Sequence, residues 1–268
     1  MAELRFLEYQ KASICYHLFG SGAQLVFCLH GYSNDGTLFK LLEAPLGDRY
    51  TFISIDLPFH GRTRWGREKM DITELVEILR LIMQAENKGP SYYLLGFSLG
   101  ARLCICLFND APEAVDKMIL LSPDGLHSSL IYKLLVRTLI GHKLMAWILK
   151  DPVKSKRVLE RLYRYKLINK TVLSYANSFI HSKRQSTLLY ARWVSMSKLH
   201  PDMGAFQRRL MARKVEVKMV FGKQDQITPI QNAEVIRKYQ SQYLHLYKWE
   251  AGHLLLKPQY LDKLVGLF

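Results

Sequence analysis

The sequence predicts an α/β protein: a mostly parallel sheet of eight strands, helices on both faces and one helical insert. Three observations lead there. Short apolar runs alternate with amphipathic stretches along most of the chain, as expected for parallel strands joined by crossover helices. The link between the first two strand-like runs is too short for a crossover, so they form an antiparallel hairpin at one edge. The alternation stops after residue 124 and resumes at residue 215, an interval too long for a plain loop, so residues 125–214 read as an inserted subdomain.

Taken in order, residues 4–9 and 13–18 make the hairpin, and the apolar runs 25–29 and 51–55 are the next two strands. From Asp71 to Ala85, Ile72, Leu75, Val76, Leu79, Ile82 and Met83 recur at three- and four-residue spacings, the period of a helix with one buried face. Residues 91–95 form a strand that runs through a tight turn into the helix-like stretch 101–108. Strands at 117–121, 215–221 and 243–249 complete the sheet. Residues 1–124 and 215–268 are therefore expected to be the core, and 125–214 a helical cap subdomain over the C-terminal edge of the strands. Its helical periodicity is clear at 158–165.

The 268 residues are 49% hydrophobic and 23% charged, an ordinary globular balance that argues against wholesale disorder. No apolar run approaches the roughly 18 residues of a membrane span. The first residues lack a basic segment followed by an apolar one, so a cytoplasmic location is expected, with peripheral contact at a membrane surface left open. Cys15, Cys28, Cys104 and Cys106 sit among apolar neighbours and read as buried free thiols rather than a disulfide framework. No grouping of His, Cys and carboxylates has convincing metal spacing, so neither a metal nor a cofactor is expected.

Chemistry concentrates in four places. Gly96-Phe97-Ser98-Leu99-Gly100 lies between a strand and a helix, the setting in which a serine is lifted on a tight turn and flanking side chains would collide with backbone. Upstream, a strand ends in His30-Gly31-Tyr32. Downstream, a strand runs into Gly222-Lys223-Gln224-Asp225, and the last strand is followed by Glu250-Ala251-Gly252-His253. The order serine, acid, histidine makes Ser98 a candidate nucleophile, His253 its base and Asp225 the carboxylate that orients the base. Asp124, after the preceding strand, is the alternative acid. The backbone N–H groups of Tyr32 and Leu99 are the candidates for an oxyanion hole.

On these motifs the chain resembles the α/β-hydrolase superfamily, particularly its capped, esterase- and lipase-like members. Asp56-Leu57-Pro58-Phe59-His60-Gly61-Arg62-Thr63 is similar to a turn that commonly reads D-x-P-G-x-G-x-S, with Phe59 in place of a glycine and Thr63 in place of a serine. The resemblance implies the α/β-hydrolase fold, a loop-supporting role for His30 and a serine hydrolase that cleaves an ester or thioester of a small or lipid-like acyl substrate. Family members that open epoxides or displace halides use Asp where this chain has Ser98, which disfavours those reactions. Transfer to an acceptor other than water, and carbon-carbon hydrolysis, stay open at the same site. So does a ligand-binding protein on a hydrolase scaffold.

Residues 131–214 hold 19 Lys plus Arg and 3 Asp plus Glu, a net of +16, while the rest of the chain is at −1. Segregation of charge into the cap favours an anionic partner: anionic lipid, coenzyme A or acyl carrier protein. A nucleic-acid partner is not expected, since no recognised motif accompanies the charge. If residues 130–150 are helical, Lys133, Arg137, Lys143 and Lys150 share an arc that Val136, Ile140 and Trp147 interrupt. Trp147, Tyr163, Tyr165, Phe179, Tyr190 and Trp193 are candidates either for an acyl pocket or for the insert's own core.

Overall fold

The computed structural model describes residues 3–126, 138–233 and 241–268. Its eight strands are β1 (Glu3–Tyr9), β2 (Ala12–Phe19), β3 (Gln24–Leu29), β4 (Tyr50–Ile55), β5 (Tyr92–Phe97), β6 (Val115–Leu121), β7 (Glu216–Gly222) and β8 (Leu244–Trp249). They form one sheet in the order β1-β2-β4-β3-β5-β6-β7-β8. β1 pairs antiparallel with β2, and β2 antiparallel with β4; every later pairing is parallel. The reversal of β3 and β4 in the order places β3 between β4 and β5, covered on both faces. Leu25 through Leu29 are accordingly buried without exception, which is why that strand reads as unbroken apolar sequence.

The chain divides into two compact units, Met1–His127 with Leu199–Phe268, and Ser128–Lys198. The first carries the sheet. Its helices include α1 (Glu43–Leu46), α2 (Ile72–Ala85) and α3 (Leu99–Asp110). Asp71 precedes α2, and the Glu74 carboxylate accepts the Asp71 N–H at 2.9 Å, so the helix starts at the position its sequence marks. Leu75, Ile78, Leu79, Ile82 and Met83 are its buried face. α3 is buried from Leu99 to Phe108, including Cys104 and Cys106, and all four cysteines are free.

Within the described residues the second unit is helical: α4 (Leu139–Leu149), α5 (Pro152–Arg164), α6 (Lys170–Asn177) and α7 (Lys183–Ser195). Three of these starts have a local cause. The Thr138 hydroxyl accepts the Gly141 N–H at 2.9 Å, Asp151 accepts the Val153 N–H at 2.9 Å ahead of Pro152, and the Ser182 hydroxyl accepts the Gln185 N–H at 3.3 Å. α4 packs on α5 and α7, and α5 packs on α6. The expected insert ran from 125 to 214. The segment after Lys198 instead groups with the sheet, where α8 (Met203–Arg213) packs on α3 and Phe206 meets Phe108 edge to face at 5.6 Å. Of the arc expected over 130–150, Lys133, Val136 and Arg137 lie outside the described residues, and the helix begins at Leu139.

Candidate active site

Ser98 stands between β5 and α3 with φ 52° and ψ −113°, a region that non-glycine residues rarely occupy. Two close approaches make the flanking glycines necessary. A Cβ on Gly96 would come within 2.5 Å of the Ala101 Cα, and one on Gly100 within 1.8 Å of the Leu29 carbonyl oxygen. The turn is held from both sides: the Ser98 N–H donates to the Leu121 carbonyl at 2.8 Å, and the Asp124 N–H donates to the Ser98 carbonyl at 3.2 Å. The strained serine is thus fixed by β6 and the loop that follows it.

Three of the predicted residues come together although they are far apart in the chain. Ser98 Oγ lies 3.1 Å from His253 Nε2, and His253 Nδ1 lies 2.8 Å from Asp225 Oδ2. Ser98 follows β5, Asp225 follows β7 and His253 follows β8, so each rides on the C-terminal end of a parallel strand. The loop after β7 wraps the carboxylate: Asp225 Oδ1 accepts the N–H groups of Ile227 at 2.8 Å and Thr228 at 2.9 Å. Burial works to raise the pKa of Asp225. The hydrogen bond and charge of His253, with the N–H and hydroxyl of Thr228, outweigh it and hold the carboxyl below its usual value.

The other predicted residues fall as follows. Asp124 does not approach the histidine by any described hydrogen bond; its carboxylate faces Arg102, 3.4 Å away, and accepts the Gly125 N–H at 2.7 Å. His30 is fully buried. Its Nε2 accepts the Leu57 N–H at 3.1 Å, which leaves the ring proton on Nδ1 to donate to the Gly31 carbonyl at 2.8 Å. That ties the loop carrying Tyr32 to the turn after β4. A Cβ on Gly31 would sit 3.2 Å from the Ser98 Cβ, so this loop passes directly beside the serine. Leu99 is the first residue of α3, where a helix leaves its N–H groups unpaired within the helix.

Two residues of the site escape sequence reasoning. The Thr228 hydroxyl lies 2.7 Å from Asp225 Oδ2, 3.2 Å from His253 Nδ1 and 3.2 Å from the Ser122 carbonyl. Ser122, at φ 45°, donates its hydroxyl to the His253 carbonyl at 3.0 Å. The spacing Asp225-x-x-Thr228 is an available signal, since short polar side chains three apart commonly close such a turn. Ser122 offers none, because its partner is 131 residues away.

Among the described residues, Cys15, His17 and Asp56 bring three potential ligand atoms within 4.8 Å of one another. Their hydrogen bonds explain the grouping without an ion. Asp56 Oδ1 accepts the Gly36 N–H at 2.7 Å and lies 3.2 Å from His17 Nε2, while Oδ2 accepts the Arg62 N–H at 2.7 Å. Burial works to raise the Asp56 pKa, but His17 and these two N–H groups outweigh it and hold the carboxyl down at about 2. Burial, reinforced by Asp56, pushes the Cys15 thiol up to about 12. The Thr63 hydroxyl closes the knot, donating to the Asp56 carbonyl at 2.6 Å and accepting the Cys15 N–H at 2.9 Å. Phe59, where the similar turn carries a glycine, has a left-handed backbone at φ 63°.

Residues 24–141 match the family described as the alpha/beta hydrolase fold. The chain is 29% identical over 126 residues to the dihydrolipoyllysine-residue acetyltransferase component of an acetoin cleaving system from Cupriavidus necator, a match covering 46% of this chain and 33% of that relative's length. Monoacylglycerol lipase ABHD6 of Homo sapiens is 23% identical over 256 residues, 88% of this chain and 72% of its own. In fold, the chain is similar to a thermophilic esterase from Thermogutta terrifontis, with a TM-score of 0.70 at 17% identity over 99% of this chain and 96% of that one. With the strand order and the turn at Ser98, these likenesses show that the chain has the α/β-hydrolase fold.

Proposed function

We propose that this protein is a serine hydrolase that cleaves an ester or thioester of a small or lipid-like acyl substrate through an acyl-enzyme on Ser98. The observation that carries the reading is the continuous array from Ser98 Oγ through His253 to Asp225, with contacts of 3.1 and 2.8 Å. With the imidazole proton on Nδ1 donated to Asp225, Nε2 is free to accept the hydroxyl proton of Ser98 as Oγ attacks the carbonyl carbon. The carbonyl π electrons move to oxygen, and the N–H groups of Leu99 and Tyr32 are the donors assigned to that oxyanion. His253 then passes its proton to the departing alcohol or thiol as the carbon-heteroatom bond breaks. A water repeats the cycle: it loses a proton to Nε2, attacks the acyl carbon, and Ser98 leaves with the proton returned.

The names of the relatives favour acyl chemistry, since one is a monoacylglycerol lipase and one structural neighbour an esterase. The apolar character proposed for the substrate is consistent with Phe97, whose ring lies 5.2 Å from that of His253 beside the serine. We assign the helical unit the role of a cap, and place the protein in the cytoplasm; no helix among the described residues is long and apolar enough to cross a membrane. A fluorophosphonate probe tests the reading. Stoichiometric labelling of Ser98, lost in Ser98→Ala and slowed in His253→Ala, is expected, together with a burst of alcohol release from an activated ester. Absence of labelling in protein that still binds acyl ligands would instead make the chain a binding protein on this fold.

A further inference from the structure

α4 leaves a large apolar stripe in solvent. Ile140 is 81% exposed, Leu144 44% and Trp147 57%. At about 100° per residue these three side chains fall within an arc of about 60°, with Lys143 and Lys150 along one margin. The opposite side of the helix is occupied, since Gly141 and Leu149 are buried and α4 packs on α5 and α7. The stripe is therefore a second apolar face, turned outward, on a helix that already has an inner one. Nothing in the unit's own packing requires large apolar side chains there, and such patches mark surfaces that meet something else.

Charge decides what that something is. Residues 128–198 carry 15 Lys plus Arg against two acidic residues, Asp151 and Glu160, a net of +13. Lys154, at the start of α5, sets its Nζ 3.7 Å above the Trp147 ring, so a cation and the largest apolar side chain of the stripe form one unit. Exposed Lys156, Arg157, Arg161 and Arg164 extend the positive field along α5. The positive charge is spread over a whole helical surface and does not converge on a point, which suits a laterally continuous anion. A tryptophan with lysines at the edge of an apolar stripe suits the boundary between headgroups and acyl chains. We infer that α4 and the start of α5 dock on an anionic lipid surface, with Ile140, Leu144 and Trp147 entering the headgroup boundary and Lys143, Lys150 and Lys154 facing the anionic headgroups.

The inference is independent of the hydrolytic reading, so it is tested on the whole chain carrying Ser98→Ala, which has no turnover to alter the lipid. Sedimentation with vesicles of phosphatidylcholine and phosphatidylglycerol in equal parts is expected to capture the protein at low salt, and phosphatidylcholine vesicles to leave it in solution. Lipids brominated on their acyl chains should quench tryptophan emission in the chain carrying Trp193→Phe, which removes the half-buried tryptophan of the same unit, and Trp147→Phe should then remove the quenched component, because Trp65 and Trp249 are buried. Changing Lys143 and Lys150 to Gln should weaken partitioning about five-fold per lysine. Ile140→Ser should weaken it further while leaving hydrolysis of a soluble short-chain ester, measured in the chain with Ser98 intact, unchanged. Failure to bind anionic vesicles overturns the inference. So does binding that neither quenches Trp147 nor responds to Ile140→Ser, which is diffuse adsorption, and so does saturable binding to an acidic protein such as an acyl carrier protein with no binding to vesicles.

Discussion

The two units of this protein spend their polar groups in opposite ways. In the unit that carries the sheet, basic and acidic residues nearly balance, and the polar side chains that matter are buried and paired: Asp56, Ser98, Ser122, Asp225 and Thr228 are all less than a tenth exposed. Backbone strain gathers there too, at Phe59, Ser98 and Ser122. In the helical unit the charge is one-sided and solvated, while Ile140, Trp147, Val153 and Tyr165 are more than half exposed. Strain can persist only where surrounding structure over-determines it, and a sheet with neighbours on every side supplies that. The helical unit has one left-handed position among its described residues, Lys166 at φ 57°, and it lies exposed after a helix end and not in a buried site.

That contrast breaks most sharply at the serine. Ser98→Ala is expected to lower kcat by about 10⁶ with no loss of thermal stability, since only the hydroxyl is removed. Retained esterase activity in the purified variant would remove the core's claim to the chemistry. Next in size is the choice of acid. Asp225→Asn should cost about 10⁴ in kcat, whereas Asp124→Asn, whose partner is Arg102, should cost far less. The reverse ranking at equal folded fraction would separate the geometry from the mechanism.

The Asp56 knot tests the core's stability and not its chemistry. Its carboxyl is more acidic folded than unfolded, so its contribution of about 2 kcal/mol is complete above about pH 4 and is lost as pH falls through about 2. Asp56→Asn should flatten that part of the acid-unfolding curve; an unchanged curve would place the acid sensitivity elsewhere. Thr228→Val is a smaller perturbation, expected to lower kcat about ten-fold by removing one hydrogen bond to a buried carboxylate, with KM nearly unchanged. Equal effects on kcat and stability would make Thr228 structural only. Smallest of all, exchanging exposed Lys156, Arg157 and Arg161 for Gln should move unfolding free energy by no more than about 0.5 kcal/mol each. A larger change in calorimetry would mean the helical unit depends on its charges for folding.

Much of the fold is legible in the order of residues alone. Every strand falls within two residues of its expected run; β3 and β5, inside the sheet, are buried nearly throughout and read as apolar sequence, while the edge strands β1 and β8 are partly exposed and keep charged residues. α2 starts at Ile72 and α5 at Pro152 for reasons written in the residues at their starts, Asp71 with Glu74 and Asp151 with Pro152. Trp147, Tyr163 and Tyr165 are less legible. Composition offers them to a pocket or to a core, and their exposures of 57%, 42% and 73% fit no interior. An aromatic residue at helical spacing has the same sequence signature whether its face is covered or open.

The elements, the glycines around Ser98 and the order of serine, acid and histidine were settled locally, by periodicity, turn chemistry and steric demand within a few residues. The strand order, the contact distances that join Ser98, His253 and Asp225, the clamps from Thr228 and Ser122 and the outward stripe on α4 were settled only in three dimensions. Each depends on which distant segment becomes a neighbour once the chain has folded, as Ser98 meets His253 across 155 residues, and no local pattern encodes that choice.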